Sequence, residues 1–217
     1  DVSFGHQIAV KNASDEGSDW KWENIRACNE FLMNYEKSPE TEIVKQQYAG
    51  EILFFKCMDY FNKVRKYGDL PWYDTLTPSD TEELYKGRDS RILVMDNVLR
   101  DINQAIAWLP KKTKVYRVSK DAALALKARI CLFEGTYRRY HNIENDTKFL
   151  QAAYDAAVVY WKTTPNNYSS YGGSFSMNGS AGLSTYIFRQ SYEEEINPFY
   201  RQSIQWYSAA GWDETGW

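Results

Sequence analysis

Of the many places where tryptophan or tyrosine stands beside a carboxylate, an amide or a guanidinium, three lie in loops suited to meeting a ligand. They are Asp19-Trp20, Tyr73-Asp74, and the run that contains Tyr200, Arg201, Gln205, Trp206 and Trp212. A flat ring offers a stacking surface and loses little rotamer freedom when a ligand settles on it, while the polar neighbour supplies directional hydrogen bonds. Together these groups suit the capture of a ligand that stacks. Composition points the same way: aromatics make up 16% of the chain, with 17 Tyr and 8 Trp. That is more rings than a core of this size needs, so some lie at the surface. The competing reading for Trp20 is a staple at a helix start, and for Trp206 and Trp212 it is core packing. Trp72, Trp108 and Trp161 fall at helix ends or turns and read as structural, and Tyr73-Asp74 lies in a turn where it would meet a ligand or a partner.

Bond-making chemistry finds no such footing. Glu193-Glu194-Glu195 is a charge run of the kind that forms a solvated face rather than a general acid. His6 and His141 are far apart, each without a carboxylate or cysteine at ligand spacing, and no nucleophile elbow, zinc-binding helix, phosphate loop or dinucleotide fingerprint occurs. The reading is of a non-enzyme with no catalytic residue, no metal and no cofactor. A net charge of −3 and a pI near 5.5 leave no electrostatic footprint for nucleic acid. No apolar run approaches the roughly 20 residues that span a bilayer, and Asp1 to Val10 lack the pattern of a signal peptide. Cys28, Cys57 and Cys131 lie among apolar neighbours without paired spacing and read as small buried hydrophobes. Cys28 and Cys57 could also face each other across a helical hairpin as one disulfide.

The elements that must carry these residues are helices. Trp22, Ile25, Cys28 or Asn29, and Leu32 recur at helical spacing, with Ser18 or Asp19 available as a cap, and Ser38-Pro39 ends this first helix. A second begins at Glu40 and keeps almost no purely polar face through Ile43, Val44, Tyr48, Ile52, Phe55, Met58, Tyr60 and Phe61. Such a helix is sandwiched between neighbours. Gly68 suits its C′ position and Pro71 follows. Residues 69–90 read as an ordered loop. Ile92, Met95, Ile102, Ala105, Ile106 and Leu109 form a third stripe stopped by Pro110, Ser119 caps a fourth helix reaching about Tyr140, and a fifth runs from Thr147 to Trp161 with Phe149, Leu150, Ala153, Ala157 and Tyr160 on one side. Antiparallel hairpins at roughly the period of helical repeats predict an all-α, tetratricopeptide-like scaffold. The domain reading is an N-terminal loop segment over 1–21, the scaffold over 22–163, and an irregular aromatic-rich C-terminal segment over 164–217.

Five ordered stretches resemble one family. Ile25-Arg26-Ala27-Cys28-Asn29-Glu30-Phe31-Leu32 is similar to its I-x-x-C/A-N-x-F-L helix, and Tyr67-Gly68-Asp69-Leu70-Pro71-Trp72-Tyr73 to its Y-G-D-hydrophobic-P turn. Arg88-Asp89-Ser90 resembles the opening of the third family helix, and Asp101 to Pro110 its D-L-x-x-A-I-x-x-L-P end. The longest match, Tyr116 to Arg129, is close to the signature G-R-V-T-K-G-A-A-L-A-L-K-A-R. Weaker similarity continues at Glu194-Glu195-Ile196 and Gly211-Trp212. On these motifs the chain resembles the SusD/RagB family of outer-membrane nutrient-binding lipoproteins of Bacteroidetes, and reads as an internal piece of one.

The resemblance implies a surface-exposed, non-catalytic protein that captures an oligosaccharide and passes it to a SusC-like TonB-dependent outer-membrane transporter. It also implies a lipid anchor on an N-terminal segment preceding Asp1. Helical repeats would face the transporter, and loop aromatics with polar neighbours would hold the glycan. A pyranose fits that chemistry, because its apolar C–H faces stack on Trp or Tyr while its hydroxyls pair with Asn, Asp, Gln and Arg. Asp19, Trp20, Tyr73, Asp74, Tyr200, Arg201, Gln205, Trp206 and Trp212 are therefore the expected glycan contacts. Two alternatives stay open: a peptide-uptake member of the same family, and a helical-repeat adaptor that binds peptides in its concave groove. The adaptor would show Lys, Arg and Asn repeating between units, whereas Lys63, Arg65, Lys66, Arg138 and Arg139 cluster at helix ends.

Overall fold

The computed structural model describes residues 20–76, 86–111 and 117–163. They form five α-helices: α1 (Glu23–Asn34), followed by a single 3₁₀ turn at Tyr35–Lys37, α2 (Glu42–Tyr67), α3 (Arg91–Trp108), α4 (Lys120–Tyr140) and α5 (Asp146–Thr163). Among the described residues, the extended pairing is one antiparallel bridge between Leu70 and Asp89. Over the described residues the predicted all-α scaffold is what the chain adopts.

Each helix packs on the next in the chain, and α2 also touches α4. That succession, with partners met in sequence order, is the stacking logic of a helical repeat. Close approach is built in at the two hairpins. A Cβ on Gly50 of α2 would lie 3.0 Å from Leu109 Cγ just past α3, and one on Gly135 of α4 would lie 2.7 Å from Leu150 Cγ and 3.0 Å from the Leu150 backbone nitrogen in α5. Early α2 thus meets the end of α3, and late α4 meets the start of α5, which makes both pairs antiparallel.

Local signals set the ends. Ser90 and Ser119 occupy the N-cap positions of α3 and α4, and each hydroxyl accepts from the amide three residues on, Leu93 and Ala122, at 3.3 Å. Gly68 closes α2 at φ +73°, a region open to glycine, with its amide donating to the Val64 carbonyl at 3.0 Å. α1 starts at Glu23 with Trp22 in the N-cap position and no side-chain cap from it, and Ser18 and Asp19, the expected caps, lie outside the described residues.

One core runs through the stack, with Ile25, Phe54, Cys57, Tyr60, Val98, Ile102, Ile130 and Phe149 all buried. α2 is sandwiched between α1 and α3, but not over the whole apolar set expected of it, since Ile43, Tyr48 and Phe55 are exposed. By contrast its Lys56 and Lys63 are buried, at 2% and 5% exposure. All three cysteines are free and buried, in accord with their reading as small hydrophobes. Burial raises each thiol above its ordinary value, Cys131 to about 12.

Charges also enter the interior. Glu134 is fully buried and accepts from Arg91 Nε and Nη2 at 2.9 and 2.7 Å and from Arg138 Nε at 2.8 Å. Arg91 lies 3.6 Å over the Tyr137 ring and Arg138 4.3 Å over Phe149. The triad joins α3 to α4, and Arg138 rests on Phe149 of α5. Arg138 and Arg139 do lie together in the last turn of α4, as expected, but the Arg138 guanidinium is wholly internal. Two aromatic readings divide, since Trp72 is buried in the core whereas Trp161 is 59% exposed. Among the described residues no helix is long and apolar enough to cross a membrane.

Candidate functional site

The connection from α2 to α3 leaves Gly68 and returns at Arg91, and side chains rather than a sheet hold it. The Leu70 and Asp89 backbones exchange hydrogen bonds at 3.2 and 3.1 Å. The Asp89 carboxylate accepts the Trp72 amide at 2.7 Å, and Lys86 Nζ donates to the Trp72 carbonyl at 2.6 Å while standing 3.0 Å from Asp89. Asp69 accepts the Arg91 amide at 2.8 Å and so ties the turn to the first residue of α3. Beneath, the Tyr60 hydroxyl of α2 accepts the Tyr73 amide at 2.9 Å. From α1, Asn29 Nδ2 donates to the carbonyls of Tyr73 at 2.9 Å and Thr75 at 3.2 Å. Backbone groups that a loop would otherwise give to water are thereby fixed by side chains of α1 and α2 and by the loop's own Lys86 and Asp89.

Rings gather on this frame. Trp20 stands edge-to-face with Trp22 at 5.3 Å between centroids and with Tyr67 at 4.9 Å, and Trp22 does the same with Tyr73 at 5.6 Å. Tyr60 lies 4.2 Å from Trp72. Cations sit over the rings: Arg88 over Trp20 at 5.0 Å, Lys86 over Tyr73 at 4.9 Å, Lys63 over Trp22 at 5.7 Å and Lys56 over Trp72 at 4.8 Å. Such pairs fix ring orientation and add a modest attraction each. Trp20 and Tyr73, one before α1 and the other in the turn, thus belong to one aromatic series through Trp22.

Beside Tyr73 lies a charge cluster. Asp74 accepts from Arg100 Nη2 at 2.9 Å and stands 3.5 Å from Lys56 Nζ. Asp101 is 3.6 Å from Lys56 and 2.8 Å from Arg100. Burial raises the Asp101 carboxyl above its ordinary value despite the two cations. At the more open Asp74, burial pushes the carboxyl up but Lys56 and Arg100 outweigh it, and the net shift is downward. Asp89 is likewise held low, since the Trp72 amide and Lys86 overcome its burial. Asp74 is therefore an ionised acceptor at neutral pH, half exposed beside an equally open guanidinium.

Of the residues expected to contact ligand, Trp20, Tyr73 and Asp74 are brought to this turn. Asp19, Tyr200, Arg201, Gln205, Trp206 and Trp212 lie outside the described residues. Trp22, Asn29, Arg88 and Arg100 were not singled out, although they complete the cluster. Asn29 carried a signal, a polar amide on the buried stripe of α1, where a buried polar group must find partners. Arg88 and Arg100 carried none. Among the described residues no group of side chains is placed to hold a metal ion.

Comparison with known proteins accounts for this frame. The SusD-like family model, described as starch-binding associating with outer membrane, matches residues 4–132, more than half of the chain. The chain belongs to the SusD-like family. A SusD-like protein of Formosa agariphila is 31% identical over 102 residues, 47% of this chain and 20% of that protein. Among solved structures, a SusD-like protein of Bacteroides fragilis superposes with a TM-score of 0.67 at 24% identity, covering 84% of this chain and 35% of the other. A SusD-like carbohydrate-binding protein of the same species gives 0.69 at 19% identity, covering 82% and 34%. A laminarin-binding SusD-like protein gives 0.58 at 21% identity, covering 78% and 34%. This SusD-like chain spans about a fifth of the curated relative and about a third of each of these solved structures.

Proposed function

We propose that the protein to which this chain belongs is a non-catalytic glycan-binding protein of the outer cell surface. It captures oligosaccharides and delivers them to a SusC-like TonB-dependent transporter, and it is held at the membrane by an N-terminal lipid. The observation that carries this reading is the family match over residues 4–132. The helical frame supports it, being shared with a laminarin-binding protein and with a structure containing a xylogluco-oligosaccharide.

In this reading the aromatic turn does two jobs. Trp20 and Tyr73 present ring surface, and Asp74 beside Arg100 offers an acceptor and a donor side by side. Vicinal hydroxyls of a sugar need that alternation, because each hydroxyl both donates and accepts. Asp19, Tyr200, Arg201, Gln205, Trp206 and Trp212 complete the proposed contact set from beyond the described residues. Glycan uptake needs no bond broken by this protein, so the absence of a catalytic constellation from its motifs costs the mechanism nothing.

The test is calorimetric titration of the chain with starch, xyloglucan and laminarin oligosaccharides, with Trp20→Ala and Asp74→Ala alongside. Binding of one class, weakened in either variant without loss of fold, supports the reading. Silence toward every glycan together with micromolar binding of peptides transfers the chain to peptide uptake.

A further inference from the structure

The outer side of the α4–α5 hairpin is apolar. A Cβ on Gly135 of α4 would touch Leu150 of α5, and the two helices run antiparallel, so one turn back along α4 meets one turn on along α5. That register sets Leu132, 56% exposed, beside Tyr154, 64% exposed. Along α5, Leu150, Tyr154, Ala157, Val158 and Trp161 recur at steps of three and four and so share one face. Phe149, Ala153 and Ala156 are buried on the other side. α5 is thus apolar on most of its circumference, although among the described residues α4 is its main neighbour. Such a helix is ordinarily covered on both sides, and the last unit of a helical stack carries a polar outer face when nothing follows it.

We propose that this face is the docking seat of the chain's own next segment, residues 164–217. Reach, composition and size select that occupant over a second copy of the chain. The segment leaves directly from Thr163 at the end of α5, so it meets the face without the loss of translational freedom that a separate molecule suffers. It contains no lysine, and Tyr186-Ile187-Phe188, Phe199-Tyr200 and Trp206-Tyr207 give it apolar runs to set against the stripe. The stripe itself, five side chains along about 16 Å of helix, is small beside the roughly 800 Å² per partner that a stable dimer buries. The seat holds against the scaffold the segment that carries Tyr200, Arg201, Gln205, Trp206 and Trp212, and it does so whether the ligand is a glycan or a peptide.

The experiment uses the full chain with Tyr154→Cys. The three native cysteines are buried, so the new thiol alone takes a benzophenone maleimide, and irradiation followed by peptide mapping shows what lies against the face. Crosslinks to residues 164–217 of the same molecule are expected. Adding Ala157→Glu, a change at an exposed helical position that the helix tolerates, sets a charge in the docked contact and should cut their yield by about 10-fold or more. Trp161→Gln, which removes the largest ring of the stripe without adding charge, should lower the yield as well, and circular dichroism checks that both variants keep their helices. A yield unchanged by both substitutions means a tethered segment that does not dock, and overturns the seat. Crosslinks between molecules overturn it in favour of a second copy, and crosslinks confined to the five helices overturn it outright.

Discussion

Asn29 is where sequence, fold and site meet, and replacing it tests whether the turn is held as described. The side chain is 1% exposed, and its Nδ2 donates to the carbonyls of Tyr73 and Thr75. Asn29→Ala removes both donors and leaves two carbonyls to find water in a crowded place. At about 0.5–1.5 kcal/mol for each bond, the loss is about 1–3 kcal/mol. Asn29→Asp is the sharper probe, because it keeps the shape of the side chain and puts a carboxylate where two carbonyl oxygens converge. Donors become acceptors, so the cost at neutral pH exceeds that of alanine. Acidification returns a proton to the new carboxyl and with it one donor, which should narrow the gap to the parent chain. Urea unfolding at pH 7 and pH 4 gives the stabilities, and hydrogen exchange at the Trp72 and Tyr73 amides reads the turn itself, since these donate to Asp89 and Tyr60. Asn29→Asp equal in stability to the parent chain, with unchanged protection at both amides, would refute the claim that α1 pins the turn.

Two further results follow from the interior. Glu134→Ala leaves the fully buried Arg138 without its main counter-charge and is expected to cost about 3–5 kcal/mol, whereas Arg139→Ala, at an exposed pair with Asp146, should leave stability nearly unchanged; paired urea curves decide, and equal losses would contradict the burial of the triad. Cys28, Cys57 and Cys131, all buried with thiols pushed up by desolvation, should resist a thiol reagent in the folded chain at pH 8 and react fully in denaturant, and rapid native labelling at any of them would contradict that burial.

The amino-acid sequence by itself determined the helices and their order. Periodic apolar positions, the cap at Ser119, the glycine at position 68 and the stop at Pro110 are local signals, and each marks a real boundary to within a few residues. The placement of charge and ring needed the tertiary structure. In sequence Arg138 is one basic residue beside Arg139, but the first is wholly buried against Glu134 and the second faces solvent, because adjacent residues on a helix point about 100° apart and only the packing of α4 on α3 and α5 says which direction is inside. Trp20 and Tyr73 are far apart along the chain and are joined through Trp22 only after α1 and the turn settle on α2. Spacing records what lies along one element. Contacts between elements depend on how their faces pack, and that is decided by the whole fold.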